Sequence, residues 1–490
     1  MHKTPITTPR LLLQLLPLLP LTLLAGQAQA ASLQAAADAL NAGNTASVTI
    51  AGTGKWFQFG QAPAPSLAWP EFDVSNYKTA INYDKAAARV QITRIQTVDP
   101  KRERPTAVEQ KPDQYVSGVQ AWNASVAANG TSTYSQQRAS LEERRAEIWS
   151  TPHGFIKAAL ANNATSKPLK TGVEVSFNAD GKYRYVGFIN KNNQLEQVKT
   201  WIDNPVLGDT ELLTKFSQYK DFGGQPYPAH IVRSLGGHPV LDLQVAELQV
   251  NAPVDIATPA EVSSAAAPAI TVTSTKLAEG VYHLTGGTHN SVAIEQADHI
   301  VIVEAPLSEE RSLAVIAKAK EIIPGKPIKY LINTHAHFDH SGGLRTYVDE
   351  GAIIVTHQVN QAYYQKIWAN QHKLNPDRLA LSRSRARFDT FKTKHVLGDG
   401  KRSIEIYPIA GNTHNDAFAL VYLPAEKILV EADAFNPPAA NAAAVVPANP
   451  YSVNLYDNLK KLKLDVDQIA GLHGPKAVKL ADLQTYIGVN

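Results

Sequence analysis

The chain of 490 residues contains no cysteine. That absence excludes disulfide staples, thiolate metal ligands, iron–sulfur clusters and any thiol nucleophile. Net charge is also scarce: 47 Lys and Arg stand against 44 Asp and Glu, giving +3 with neutral histidines. Such a balance argues against a surface field that gathers nucleic acid or anionic membrane. After the first 24 residues no apolar run approaches the roughly 20 residues a membrane-spanning helix needs. What remains is 44% hydrophobic and 19% charged residues, a globular composition at a length that favours two domains over one core. The chain also has fifteen histidines, and they direct the functional reading.

The first thirty residues read as a Sec-type signal peptide. Lys3 and Arg10 form a basic start, residues 11–24 are leucine-rich, and Ala28-Gln29-Ala30 offers a small–x–small cleavage pattern. Cleavage after Ala30 leaves 45 basic against 44 acidic side chains, a mature charge of about +1. The expectation is a periplasmic or secreted protein with no stable membrane anchor, no nucleic-acid partner and a small-molecule substrate. Its oligomeric state stays open.

Residues 252–269 (APVDIATPAEVSSAAAPA) lack an amphipathic period and read as an Ala/Pro/Ser linker. They divide a β-rich domain, residues 31–251, from a second domain, residues 270–490. Upstream, residues 173–177, 183–189, 197–202 and 241–250 alternate apolar and polar side chains, as half-buried antiparallel strands do. Residues 178–181 and 190–193 read as the turns between them. Residues 55–59 and 89–95 are further strands, with Val90, Ile92 and Ile95 facing a core, and residues 138–148 a polar helix. Residues 97–137 yield no assignment. The meander and the run Tyr219-Lys-Asp-Phe-Gly-Gly-Gln-Pro-Tyr-Pro228 resemble the curved sheets of periplasmic lipoprotein carriers. Such sheets cup apolar groups, but a purely supporting β-domain fits the alternation equally well.

Downstream, strands and helices alternate, as in an α/β domain. Strands are expected at 281–284, 291–295, 299–304, 328–333 and 352–355. Residues 308–323 form a helix capped by Ser308, with Leu313, Ile316, Ala317 and Lys320 on one face and Pro324-Gly325 as its stop.

The strand at 328–333 runs into Thr334-His335-Ala-His337-Phe-Asp339-His340-Ser-Gly-Gly343. Chance would place such a His-x-His-x-Asp-His run on the order of once per thousand chains of this length, so the spacing calls for chemistry. His335 and His337, two apart on extended backbone, project to one side. Asp339 and His340 lie at the start of a helix, whose dipole favours anions. The two glycines let the backbone turn without crowding. Three further candidates each follow a strand: His414 in Gly-Asn-Thr-His-Asn-Asp, Asp433 in Glu-Ala-Asp, and His473 in Gly-Leu-His-Gly. Imidazole suits zinc, and a carboxylate can bridge two cations.

These motifs, in this order, closely resemble the metallo-β-lactamase fold superfamily, over residues 273–490. The resemblance implies an αββα sandwich holding two divalent metal ions, zinc first, with iron or manganese as substitutes. It implies His335, His337 and His414 on the first ion, Asp339, His340 and His473 on the second, and Asp433 bridging. A metal-bound hydroxide then attacks the substrate, with Asp339 as the catalytic residue that orients it and shuttles its proton. Many relatives carry aspartate where this chain has Glu304, which would accept a hydrogen bond from a ligand imidazole. The bridging Asp433 points to the thioesterase, lactonase and phosphodiesterase-like branches. The expected function is therefore hydrolysis of an ester, lactone, thioester or amide. Alternatives are a β-lactam hydrolase, an iron-dependent redox enzyme of the same fold, or a periplasmic binding protein for an apolar ligand with a vestigial metal site.

Other residues admit plainer explanations. His289 and Asn290 are candidate substrate contacts, although a solvated loop accounts for them as well. Tyr363, Tyr364 and Trp368 on a helix at 358–370 read as core packing. Arg378, Arg383, Arg385, Arg387, Lys392 and Lys394 read as a solvated face. Residues 436–450 read as a flap over the site.

Overall fold

The computed structural model describes residues 1–2, 32–179, 181–267, 269–400, 402–437 and 447–489. The expected leader and most of the expected flap lie outside the described residues. Ala31–Asn490 forms one compact unit, and it contains all three sheets.

The first sheet is antiparallel and has 13 strands. In spatial order they are Ser132–Gln136, Gln120–Val126, Asp113–Ser117, Ala87–Gln96, Glu71–Asn82, Ser47–Phe57, His238–Val250, Pro226–Leu235, Gly208–Asp221, Leu195–Asn204, Tyr183–Asn190, Gly172–Ala179 and Thr165–Leu169. Helix Leu141–Trp149 touches both Asp113–Ser117 and Leu195–Asn204, seven places apart in that order. In a flat sheet those strands would lie about 33 Å apart, so the sheet curls around the helix.

Three of the strands lie in residues 97–137, where sequence pattern showed none, because they are short and bury only Val116, Ala121 and Trp122. Ile92 is buried as expected, but Ile95 is 42% exposed. An odd spacing from Ile92 turns Ile95 to the opposite face. Helices Leu33–Ala39, Leu141–Trp149 and Pro152–Ala161 pack into one core with the strands. The cavity left there is about 50 Å³ and is lined partly by Arg144, Glu147 and Arg233. It admits a few waters at most, not an acyl chain. Residues 252–269 are anchored against this sheet: Ile256 and Val262 are buried with Trp122, and Asn82 Nδ2 donates to Val254 O at 3.0 Å.

The C-terminal half is an α/β sandwich. Its first sheet orders Thr273–Ala278, Val281–Thr285, Ser291–Glu295, Ile300–Val303, Ile328–Ile332, Ile353–His357 and Arg387–Phe391, the last four parallel. Its second orders His395–Gly398, Ser403–Pro408, Ala419–Leu423, Ile428–Glu431, Gln468–Gly471 and Val478–Lys479. Val292, Val301 and Ile332 of one meet Ile404, Leu420 and Val430 of the other in a shared core. Helices Glu309–Ile322 and Leu344–Asp349 cover the outer face of the first sheet, and Pro450–Leu462 packs on the second. Strands buried on both faces read as unbroken apolar runs, as Ile300–Val303 does.

Helix Glu309–Ile322 is capped by Ser308 as expected, with Arg311 N donating to its Oγ at 3.4 Å. Its buried face is Arg311, Ser312, Val315, Ile316 and Ala319, whereas Ala317 and Lys320 are exposed. The apolar period therefore misplaced the face by one residue, because Arg311 is buried. Its guanidinium donates to the carbonyls of Thr271, Gly286 and His289 and so holds the loop that carries His289.

Candidate metal centre

The strand Ile328–Ile332 ends one residue before Asn333, and the next eight residues bring four of the seven expected ligands to one place. His335 and His337 ring centroids are 4.5 Å apart, and His414 lies 5.3 and 4.6 Å from them. The ligating atoms of His335, His337 and His414 lie within 4.8 Å of one another, as do those of Asp339, His340, His473 and, in addition, His289. Asp433 stands between the two groups. Its Oδ2 is 3.3 Å from His335 Nε2, 3.0 Å from His340 Nε2 and 3.5 Å from His414 Nε2, while its Oδ1 is 2.9 Å from His473 Nε2. All seven residues expected from the sequence thus converge.

The helix expected after His337 is a single turn, Phe338–Ser341, with no side-chain cap bond. A helix dipole therefore does little for Asp339 and His340. They are held by neighbouring loops instead: Leu307 N donates to Asp339 O at 3.0 Å. Gly342 and Gly343 serve that packing, since a Cβ on either would run into Leu307 O or Ser312 Oγ.

Glu304 anchors the centre from below. It is fully buried and left-handed at φ 75°, a conformation that costs a non-glycine residue on the order of 1–2 kcal/mol. Its Oε2 lies 3.1 Å from His340 Nδ1 and accepts from Thr334 Oγ1, and its Oε1 accepts from Asn333 Nδ2 at 3.0 Å. Asn333 Oδ1 in turn accepts from the buried Tyr364 hydroxyl at 2.8 Å. Tyr364, stacked on Trp368 at 5.2 Å, belongs to the core as the helical spacing indicated.

The electrostatics suit a cation. Burial pushes the His335 imidazole well below its usual range and His337 down to about 3, which keeps both neutral and ready to ligate. Burial disfavours charge on Asp433, yet the imidazoles of His340 and His414 hold its carboxyl well below the usual range. Burial opposes Asp339 too, but the His289 hydrogen bond and nearby imidazoles keep it ionised. Burial pushes Glu431 well above the carboxylate range. Its Oε2 accepts from Ala434 N and Phe435 N at 3.0 and 3.1 Å, which shapes the turn presenting Asp433. His335 Nε2, His414 Nε2 and Asp433 Oδ2 are buried and have no hydrogen-bond partner. Three orphaned, electron-rich atoms at one point are costly without a cation to face, so the donor set fits divalent metal.

His289 is not a solvated loop residue. It is 9% exposed, its Nε2 lies 3.2 Å from Asp339 Oδ2, and it forms a backbone bridge with His473. Asn290 is fully buried and its amide donates to Gly471 O and Gly474 O at 3.2 and 2.7 Å. It braces the His473 turn rather than facing substrate. The basic residues Arg383, Arg385 and Arg387 are exposed, as a solvated face requires.

Sequence reasoning missed the contribution of the N-terminal half. Residues 58–63, which leave strand Ser47–Phe57, lie directly over the ligand loop. Gln61 Nε2 donates to Asp339 Oδ1 at 2.8 Å. His337 Nε2 lies 3.0 Å from Ala62 O, so this nitrogen carries the proton and Nδ1 is left to ligate. Asn415 Nδ2 donates to the same carbonyl at 3.2 Å, Asp416 N to Pro63 O at 2.7 Å, and Phe338 N to Gly60 O at 3.1 Å. Phe338 also packs edge-on against Phe59 and Trp69. Further along, Arg102 forms a bidentate pair with Asp416 at 2.8 Å, and Thr413 donates to Glu103 O. A cleft of about 330 Å³ opens at this junction, lined by His337 and His414 on one side, Gln58, Gln61 and Arg104 on the other, and Tyr451. Only the Gly/Pro-rich run Gly60-Gln-Ala-Pro-Ala-Pro65 marks this region in the sequence, and nothing in it points to a metal.

The sandwich and its strand-end ligands make the C-terminal half similar to the metallo-beta-lactamase superfamily, whose family model matches residues 284–467. Among curated proteins, a linear primary-alkylsulfatase from a Pseudomonas species is 32% identical over 79 residues. The match covers 16% of this chain and 12% of that protein. Among solved structures, a metallo-beta-lactamase from Pontibacter korlensis is 17% identical, with 45% of this chain and 98% of that chain covered at a TM-score of 0.35. One from Hirschia baltica is 20% identical, with 44% and 97% covered at 0.33.

Proposed function

We propose that the protein is an exported hydrolase that holds two divalent cations, zinc by the chemistry of its ligands, and cleaves an ester, lactone, thioester or amide. Export rests on the pattern of residues 1–30, and the division at 252–269 is kept as the boundary between a supporting β-rich half and the hydrolase half. The alkylsulfatase relative adds sulfate esters of alcohols to the substrates to be tried. The observation that carries the reading is the pair of ligand groups on either side of Asp433, in which His335 Nε2, His414 Nε2 and Asp433 Oδ2 are buried without a hydrogen-bond partner.

In this reading His335, His337 through Nδ1, and His414 would hold one cation and Asp339, His340 and His473 the other, with Asp433 placed between the two groups. Once bound, divalent cations would supply Lewis acidity at the scissile group. Asp339, steered by Gln61 and His289, would orient the attacking water and relay its proton onward. Glu304 fixes the ring of His340, and the Ala62 carbonyl fixes the tautomer of His337. Residues 58–63 cover the ligand loop and form one wall of the cleft.

The test is elemental analysis of protein purified without chelators, joined to a screen of aryl esters, lactones, thioesters, alkyl sulfates and a chromogenic cephalosporin. The expected result is two divalent ions per chain, and a kcat/KM for an ester, lactone or thioester at least tenfold above that for the cephalosporin. Tenfold corresponds to about 1.4 kcal/mol of transition-state stabilisation. Efficient cephalosporin turnover with negligible turnover of the other classes would restore the antibiotic-hydrolase reading.

A further inference from the structure

The cleft above the ligands has a charge pattern of its own. Among the described residues its lining holds no carboxylate, and the one permanent charge is the guanidinium of Arg104. Arg104 is partly buried, and no hydrogen bond or ion pair holds it among the described residues. Its neighbour Arg102 is committed, in a bidentate pair with Asp416 that fastens residues 99–104 to the hydrolase half. That pair and the bond from Thr413 to Glu103 O set Arg104 at the cleft wall. The rest of the wall facing His337 and His414 is neutral: the amides of Gln58 and Gln61 and the ring of Tyr451.

An arginine costs free energy to hold near a partly buried wall without a partner. A planar fork of five donors recognises an oxyanion better than any other side chain does. A cleft of about 330 Å³ is also within the size range of small-molecule sites. We propose that Arg104, from the N-terminal half, binds an oxyanion carried by the substrate, so that the site selects anionic esters over neutral ones. This rests on the hydrolase reading for the reaction itself, but the recognition can be measured without turnover. Sulfo, phosphoryl and carboxylate groups share the required chemistry. The β-rich half then acts as the specificity wall of the site.

The experiment uses the full chain loaded with zinc. Calorimetry measures binding of octanesulfonate, octylphosphonate and octanoate, with octanamide as the neutral control, and the tightest of the three anions identifies the group. Kinetics compare 4-nitrophenyl sulfate and mono-4-nitrophenyl succinate with neutral 4-nitrophenyl butyrate. Arg104→Gln, and Arg104→Met as a second uncharged variant, should weaken binding of the preferred anion at least tenfold and raise KM for the anionic ester by a similar factor. KM for the butyrate and the zinc content should move less than twofold, and Arg104→Lys should restore part of the anion affinity. Equal effects on anionic and neutral ligands, or no effect on either, would overturn the assignment while leaving the hydrolase reading intact. Discriminating loss of octanesulfonate binding in a protein that hydrolyses no ester would instead overturn the hydrolase reading and keep Arg104 as an anion site.

Discussion

Gly60 offers a direct test of how the two halves make one site. Its φ is +77°, and a Cβ there would stand 2.6 Å from Phe338 Cγ and 2.7 Å from Cδ2. Ordinary carbon contact needs about 3.5 Å or more, so Gly60→Ala must push ring and backbone apart by close to 1 Å. Left-handed strain costs on the order of 1–2 kcal/mol, and forced overpacking about 1–3 kcal/mol, for a total of about 2–5 kcal/mol. Phe338 sits between His337 and Asp339, and metal–ligand distances tolerate only about 0.2 Å. The displacement should therefore reach the cations, lowering zinc affinity at least tenfold in chelator competition along with the loss in urea unfolding. Gly118→Ala is the control: its φ is +56°, and an added Cβ meets nothing within 4 Å, so it carries the backbone cost alone. The reasoning fails if Gly60→Ala destabilises no more than Gly118→Ala and leaves zinc affinity within twofold of the parent.

Other perturbations probe separate parts of the argument. His335→Ala or His414→Ala should lower bound metal by about one ion per chain in elemental analysis, and retention of two would exclude that residue as a ligand. Glu304→Gln keeps the side chain's size but changes what it offers His340 and Thr334, and metal affinity should fall about 10–100-fold; an unchanged affinity would assign Glu304 to structure alone. Residues 269–490 expressed alone lose Gln61, the Ala62 carbonyl and the cover on Phe338, so they should bind zinc at least tenfold more weakly than the full chain. Equal affinity would show that the ligand loop needs no help. In the β-rich half, burial pushes His153 down to about 4, while its unfolded value is the ordinary 6.5. A depressed histidine contributes stability above pH 6.5 that is lost as the pH falls towards 4, here on the order of 3 kcal/mol. Unfolding free energy followed over that window should show the loss, and His153→Phe should flatten it; an identical pH slope in the variant would assign the acid sensitivity elsewhere.

The sequence by itself determined the features that arise from short-range spacing. Seven candidate ligands were legible because four fall within six consecutive residues and the other three each follow a buried strand run, although it is the packing of the two sheets on one another that brings the two sets together. The strand meander of residues 172–250 was legible for the same reason, since period-two alternation is a local property. Where a local rule met an exception, the reading slipped. Arg311 is a buried charge that shifted the apparent face of its helix, and His289 looked like a loop residue because its burial comes from His473 and Asp339, far away in the chain. Tertiary structure alone decided that the halves share the site. Gln61 and Asp339 are 278 positions apart and His337 and Ala62 are 275 apart, and no periodicity reports contacts at such separations. The same docking sets Arg104 in the cleft and fixes which nitrogen of His337 faces the metal. Chain propensities encode which residues can ligate, but the packing of one half on the other decides how those ligands are oriented and what reaches them.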